Sequence, residues 1–123
     1  MNENEKPTII VSVHKTVDEE VLKDILFGIE EEGIPYSIIK NEDVPAVSAG
    51  YSASLQSKLS VGIGCSNEEV VVHHKNLRPE KYLFKITDYR SKPKELKRTL
   101  GSNAARLVKG NIFKDNEDLE VSF

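Results

Sequence analysis

The stretch LSVGIGCSNEEVVVHH, residues 59–74, decides the fold. It holds two apolar, β-branched runs, 59–64 and 70–74, with only residues 65–69 between them. Runs of this length and composition read as buried strands. A parallel crossover needs about a dozen residues or more, so this pair must form an antiparallel hairpin. Residues before the hairpin alternate between strand and helix patterns, which calls for parallel neighbours instead. The sheet is therefore expected to be mixed and mostly parallel, with one antiparallel strand.

Upstream, residues 8–13 (TIIVSV) form a first buried strand. A helix is expected to start at Thr16, which stands at capping-box spacing from Glu19. Val17, Val21, Leu22, Ile25, Leu26 and Ile29 then recur at three- and four-residue steps and make one apolar stripe. Gly33 and Pro35 stop that helix. Residues 36–39 read as a second strand and 46–56 as a small-residue helix that contains Gly50. Downstream, residues 82–86 form a fifth strand. From Pro93 the pattern is helical, either continuous to Gly110 or broken at Gly101 with Ser102 capping a new helix. The expected architecture is a single domain over 1–123, a three-layer α/β/α sandwich. Residues 1–6 and the acidic segment 115–123 are expected to be flexible.

Composition narrows the function classes. The net charge of −3 does not make a nucleic-acid surface. Residues 18–32 hold seven acids and one lysine, whereas residues 90–109 hold seven Lys or Arg and one acid. Two faces of opposite sign follow, either merely solvated or built for partners. The single cysteine, Cys65, cannot form an internal disulfide and reads as a buried, inert thiol. No run approaches the ~20 apolar residues of a membrane span. The first residues, MNENEKP, lack the apolar core of a signal peptide. The expected location is the cytoplasm, with or without association with a bacterial microcompartment.

Enzymatic constellations are missing. His73 and His74 are adjacent in a strand and face opposite sides, so they cannot chelate one metal together. His14 follows the first strand, where open α/β sheets often build sites, but no nucleophile or base pattern accompanies it. Gly62 and Gly64 give a G-x-G inside a strand without a following helix, which fails as a dinucleotide fingerprint. There is no P-loop and no D-x-H-x-x-G cobalamin pattern.

Two segments stand apart. Glu30, Glu31 and Glu32 end the first helix, where acids oppose the helix dipole at about 0.3–1 kcal/mol each. They form either a solvated acidic face or a carboxylate offered to a cation. Successive helical residues are ~100° apart, so at most one of the three is well placed as a ligand, and a hard oxygen donor suits magnesium. On the last helix, Lys94, Lys97, Arg98, Gly101, Ala105 and Lys109 share one side, opposite Leu96, Leu100 and Leu107. Cations rimming small residues suggest either ordinary amphipathicity or a patch that another backbone approaches. Asn103, Arg106 and Lys109 are the partner contacts this charge pattern favours.

Residues 28–35 (GIEEEGIP), 59–64 (LSVGIG), 70–77 (VVVHHKNL), 83–84 and 101–114 (GSNAARLVKGNIFK) together resemble the small subunit of the diol/glycerol dehydratase reactivating factor. The resemblance implies an anticodon-binding-domain-like fold related to the dehydratase medium subunit. It implies a non-catalytic chain that binds no cofactor alone. Its partner would be a large, actin-like, chaperone-like ATPase subunit that carries ATP or ADP and magnesium. Action would be by subunit exchange with the medium subunit of an adenosylcobalamin-dependent dehydratase, releasing damaged cobalamin. Glu31 would complete a magnesium site on the large subunit in trans, with Glu30 and Glu32 beside it as partner contacts. No nucleic acid or membrane is involved, no role falls to the histidines, and the isolated chain is expected to self-associate through its exposed contact surface. Two other readings are a medium subunit of a cobalamin-dependent dehydratase, for which the chain lacks long flanking segments, and a free-standing small-ligand-binding α/β module.

Overall fold

The computed structural model describes residues 6–42 and 44–122. The strands are β1 (Ile9–His14), β2 (Tyr36–Asn41), β3 (Val61–Cys65), β4 (Glu69–His74) and β5 (Phe84–Thr87). The helices are α1 (Lys23–Glu31), α2 (Ala46–Gln56) and α3 (Lys94–Lys109). The sheet runs β2-β1-β3-β4-β5. β1 is parallel to β2 and β3, β3 and β4 are antiparallel, and β5 is antiparallel to β4. Four strands thus point one way and β4 alone runs against them. The expected hairpin forms, with Cys65 opposite Val70 and Val61 opposite His74.

The two faces of the sheet are built differently. Ile9, Val11 and Val13 of β1, Val61 and Ile63 of β3, and Val70 and Val72 of β4 share one buried core with Ile25, Ile29, Leu96 and Leu100. That face is covered by α1 and α3. Alternation along β3 turns Gly62 and Gly64 to the other face, under α2. A Cβ on Gly64 would collide with the Ala46 carbonyl and the Gly50 amide, and one on Gly62 with the Ser54 amide. The G-x-G is therefore a groove for a helix backbone, and Gly50 of α2 is the matching absence on the helix side.

Two local expectations are corrected and one open alternative, at Gly101, is decided. Thr16 and Glu19 do not form a capping box. The Thr16 hydroxyl instead lies 2.8 Å from His14 Nδ1 and accepts from Asn67 Nδ2 at 3.0 Å. Asp18 takes the capping role, accepting from the Glu20 amide at 3.0 Å, and a short 3-10 turn (Glu19–Leu22) precedes α1. Helix α3 is not broken at Gly101; it runs unbroken to a left-handed Gly110 at φ 73°. The C-terminal segment, expected to be loose, is fastened over residues 115–122. Leu119 joins the core. Glu120 exchanges two backbone hydrogen bonds with Lys85, both 2.9 Å. The Ser122 hydroxyl accepts from the Tyr82 amide at 2.8 Å and donates to the Tyr82 carbonyl at 2.7 Å. The expectation of a flexible start concerns residues that, apart from Lys6, lie outside the described ones.

Candidate functional site

The site is the shared end of α1 and α3, which carries every residue singled out for metal or partner contact. Its geometry starts from two glycines. A Cβ on Gly28 would meet the Arg98 carbonyl and the Ser102 amide, and one on Gly101 would meet the Ile25 carbonyl. The helices therefore lie backbone to backbone, and the Ser102 hydroxyl donates to the Gly28 carbonyl at 3.3 Å. The small residues of α3 do admit a second backbone, but it is this chain's own α1. Gly101 and Ala105 are buried, so they do not floor an open patch.

This close approach sets the three carboxylates against different partners. Glu30 accepts from the Tyr36 hydroxyl at 3.1 Å, and burial together with this carboxylate pushes the phenol's pKa up. Glu32 closes α1. Its carboxylate accepts from Arg106 Nε at 3.0 Å and Lys109 Nζ at 2.7 Å, and its carbonyl accepts from Lys109 at 3.0 Å. The Lys109 and Arg106 cations hold its pKa below the usual carboxylate value, against the opposing pull of burial. Glu31 faces Arg98 Nε at 3.6 Å, too far for a hydrogen bond, with about half of its side chain in solvent. Among the described residues Glu31 is the one acid of the three whose carboxylate has an ion pair but no hydrogen bond.

The cations expected to meet a partner are largely consumed inside the chain. Arg106 and Lys109 neutralise Glu32, and Arg106 also donates to the Ile112 carbonyl at 2.9 Å. Asn103 is fully buried. Its amide nitrogen donates to the Lys114 carbonyl at 3.0 Å and its oxygen accepts from the Lys114 amide at 2.7 Å, so it clasps the C-terminal segment and is no surface contact. Sequence reasoning missed two residues here. Arg98 was grouped with the other cations, but Gly28 brings it against Glu31. Phe27, one turn before Glu31, is 46% exposed, and its place off the apolar stripe of α1 was the signal for that.

Among the described residues no three His, Cys, Asp or Glu side chains converge for a metal ion. A cation using Glu31 would draw its remaining ligands from elsewhere. One exposed carboxylate without a hydrogen bond fits that role, because magnesium takes one or two protein carboxylates and keeps other oxygens around it.

The histidines and the cysteine take structural places. His73 is fully buried, with Nε2 3.3 Å from the Pro79 carbonyl and its ring tilted against Tyr51. His74 Nδ1 accepts from the Asn76 amide at 3.1 Å, and burial, then Lys75 and His73, lower its pKa. His14 edges an open cavity of about 430 Å³ at the carboxyl ends of β1 and β3, shared with Val44, Pro45, Ser66, Asn67 and Glu68. Cys65 is buried, 3.3 Å from the Tyr89 hydroxyl, and burial pushes its thiol up to about 11. At neutral pH the folded protein should therefore resist alkylation at Cys65 and become labelled only as denaturant unfolds it. Stoichiometric labelling of native protein within minutes would contradict this placement. No described helix is long and apolar enough to cross a membrane.

The class of protein is set by the five-stranded mixed sheet, order β2-β1-β3-β4-β5, with this helix order around it. The family model for the dehydratase medium subunit matches residues 6–114, and the chain belongs to that family, among the small subunits of diol and glycerol dehydratase reactivating factors. It is 45% identical over 96 residues to the propanediol dehydratase-reactivating factor small subunit of Citrobacter freundii, covering 78% of this chain and 81% of that protein. It is 38% identical over 116 residues to the diol dehydratase-reactivating factor small subunit of Klebsiella michiganensis, covering 94% and 90%. Among solved structures, a diol dehydratase-reactivating factor complexed with ADP and Mg2+ superposes with a TM-score of 0.84 at 37% identity, covering 89% of this chain and 99% of that one. A glycerol dehydratase reactivase gives 0.83 at 26% identity, covering 89% and 98%.

Proposed function

We propose that the chain is the exchangeable, non-catalytic partner of a large ATPase subunit, and that the pair reactivates an adenosylcobalamin-dependent diol or glycerol dehydratase. The observation that carries this reading is the likeness over nearly the full length of the chain to a factor solved with ADP and Mg2+. In this reading nucleotide and magnesium sit on the large subunit, the metal neutralising phosphate charge. Glu31 reaches across with one carboxylate oxygen, while Glu30 and Glu32 stay bound to their own chain. Kinship with the dehydratase medium subunit supplies the means of exchange: two related folds compete for related surfaces. The small subunit leaves, the medium subunit takes its place, and the damaged cobalamin is released. Away from its partner, the exposed contact surface favours self-association. The working place is the cytoplasm.

The test is reactivation of glycerol-inactivated dehydratase by the large subunit and ATP, with and without this chain. Recovery that requires the chain, with the medium subunit co-purifying with the large subunit, supports the proposal. A chain that stays on the catalytic subunit and retains cobalamin overturns it. For the metal bridge, Glu31→Gln is expected to weaken binding to the large subunit about tenfold with magnesium present and little with chelator, the loss of roughly 1.4 kcal/mol. Equal losses in both conditions would remove Glu31 from the metal.

A further inference from the structure

We propose that Arg98 is a positioning residue for Glu31: it steers the carboxylate by one oxygen and leaves the other free for the magnesium ion of the large subunit. The inference rests on the reading of Glu31 as a ligand in trans. Its physical basis is independent of that reading.

Arg98 owes its place to Gly28. Because Gly28 has no Cβ, the backbone of α3 at Arg98 lies directly on α1, one turn before Glu31. The guanidinium is thereby delivered to Glu31 by backbone packing, and does not depend on a flexible reach from afar. Its Nε is shielded from solvent and has no hydrogen-bond partner, and it stands 3.6 Å from Glu31 Oε1. The two groups form an ion pair at that distance, and the attraction favours the Glu31 rotamer that keeps one oxygen toward the guanidinium. The pair stops short of a hydrogen bond, however. Glu31 is thus oriented but not consumed.

The neighbouring acid shows what consumption looks like. Glu32 holds two cations at 3.0 and 2.7 Å, and its side chain is only 11% exposed. Glu31 and Arg98 are 52% and 43% exposed. At that exposure solvent and salt screen the repulsion between guanidinium and an approaching dication. Phe27, on the same side of α1 one turn earlier, also leaves its ring half in solvent, so an apolar anchor stands beside the steered acid. Carboxylates that bind metals are themselves held by outer partners, whose loss typically costs about 10–100-fold in metal affinity.

The experiment titrates the large subunit with the wild-type chain, Arg98→Gln, Arg98→Lys, Glu31→Gln and the double variant, each with magnesium and with chelator. Arg98→Gln is expected to lose about tenfold in affinity with magnesium and nothing with chelator. Lysine should recover part of the loss, since it restores the charge without the planar fork. The double variant should bind no worse than Glu31→Gln alone, because both changes remove one interaction. Melting temperatures measured alongside keep folding defects apart, and Arg98→Lys carries the test should Arg98→Gln fold poorly. Equal losses with and without magnesium, or additive losses in the double variant, overturn the role of Arg98 while leaving Glu31 as a ligand. Wild-type binding that ignores magnesium overturns both.

Discussion

Gly101→Ala is expected to cost about 3 kcal/mol of folding stability, the upper end of ordinary overpacking, and Gly101→Val to abolish cooperative unfolding. The reason is the identity of the obstacle. A Cβ at this position meets the carbonyl, carbonyl carbon and Cα of Ile25, all backbone atoms. A side chain can rotate away, but a helix backbone can only move as a body, and moving α1 opens the core it shares with β1 and β3. A domain has only about 5–15 kcal/mol of stability in total. Gly33 supplies the contrast. Nothing lies near its would-be Cβ, but its φ is 79°. Gly33→Ala should therefore cost only the left-handed backbone penalty of about 1 kcal/mol. Urea denaturation of the two variants checks the difference. A Gly101→Ala protein within 1 kcal/mol of wild type, on the scale of that backbone penalty, would mean that α1 and α3 do not touch as described.

The second large effect is expected at Glu32. Removing one member of a buried ion pair costs about 3–5 kcal/mol, and an exposed pair contributes about 1 kcal/mol or less. Glu32, Arg106 and Lys109 are 11%, 27% and 31% exposed. They lie between those limits, so Glu32→Gln should cost about 2 kcal/mol at neutral pH. Its pH dependence has a definite sign. The Lys109 and Arg106 cations lower the pKa of Glu32 in the folded protein. Near the ordinary carboxylate pKa the unfolded chain therefore binds the extra proton first. The stabilisation is complete above the unfolded pKa and is lost as pH falls through the lowered folded value. Glu32→Gln should flatten that acid limb, so wild type and variant converge in acid. Parallel curves of stability against pH would show that the ion network contributes nothing.

Much of this fold is legible in the residues, for reasons that can be named. The hairpin followed from the short connector 65–69, because chain length is a hard constraint. The apolar stripe of α1 followed from helical periodicity. What failed was any inference that needed to know which backbone lies near which. Gly101 and Ala105 announced a close approach correctly, but a sequence does not say whether the visitor is another chain or α1. Thr16 and Glu19 had capping spacing, yet Asp18 was two residues nearer and won. The acidic tail read as loose because its charges hide Leu119, a single apolar residue that reaches the core. The candidate site was half legible. The three adjacent glutamates marked the end of α1 as the candidate, and helical geometry said that at most one could serve. Which one depended on Tyr36, Arg98, Arg106 and Lys109, and none of these is a helical neighbour of the acid it meets.

The fastening of residues 115–122 has a consequence for growth. An open sheet has two rims, and each is a template on which further strands can add. Here the Lys85 amide and carbonyl are taken by Glu120, the Thr87 hydroxyl donates to the Glu120 carboxylate at 2.7 Å, and both polar groups of the Tyr82 backbone are taken by Ser122. The rim at β5 is hemmed by residues 120–122, and among the described residues the rim at β2 carries no further strand. A tile with one adhesive border can make a closed pair, but it cannot seed a fibre. Under the proposed subunit exchange the chain spends time apart from its partner, and this hem removes one direction in which a stray copy could polymerise.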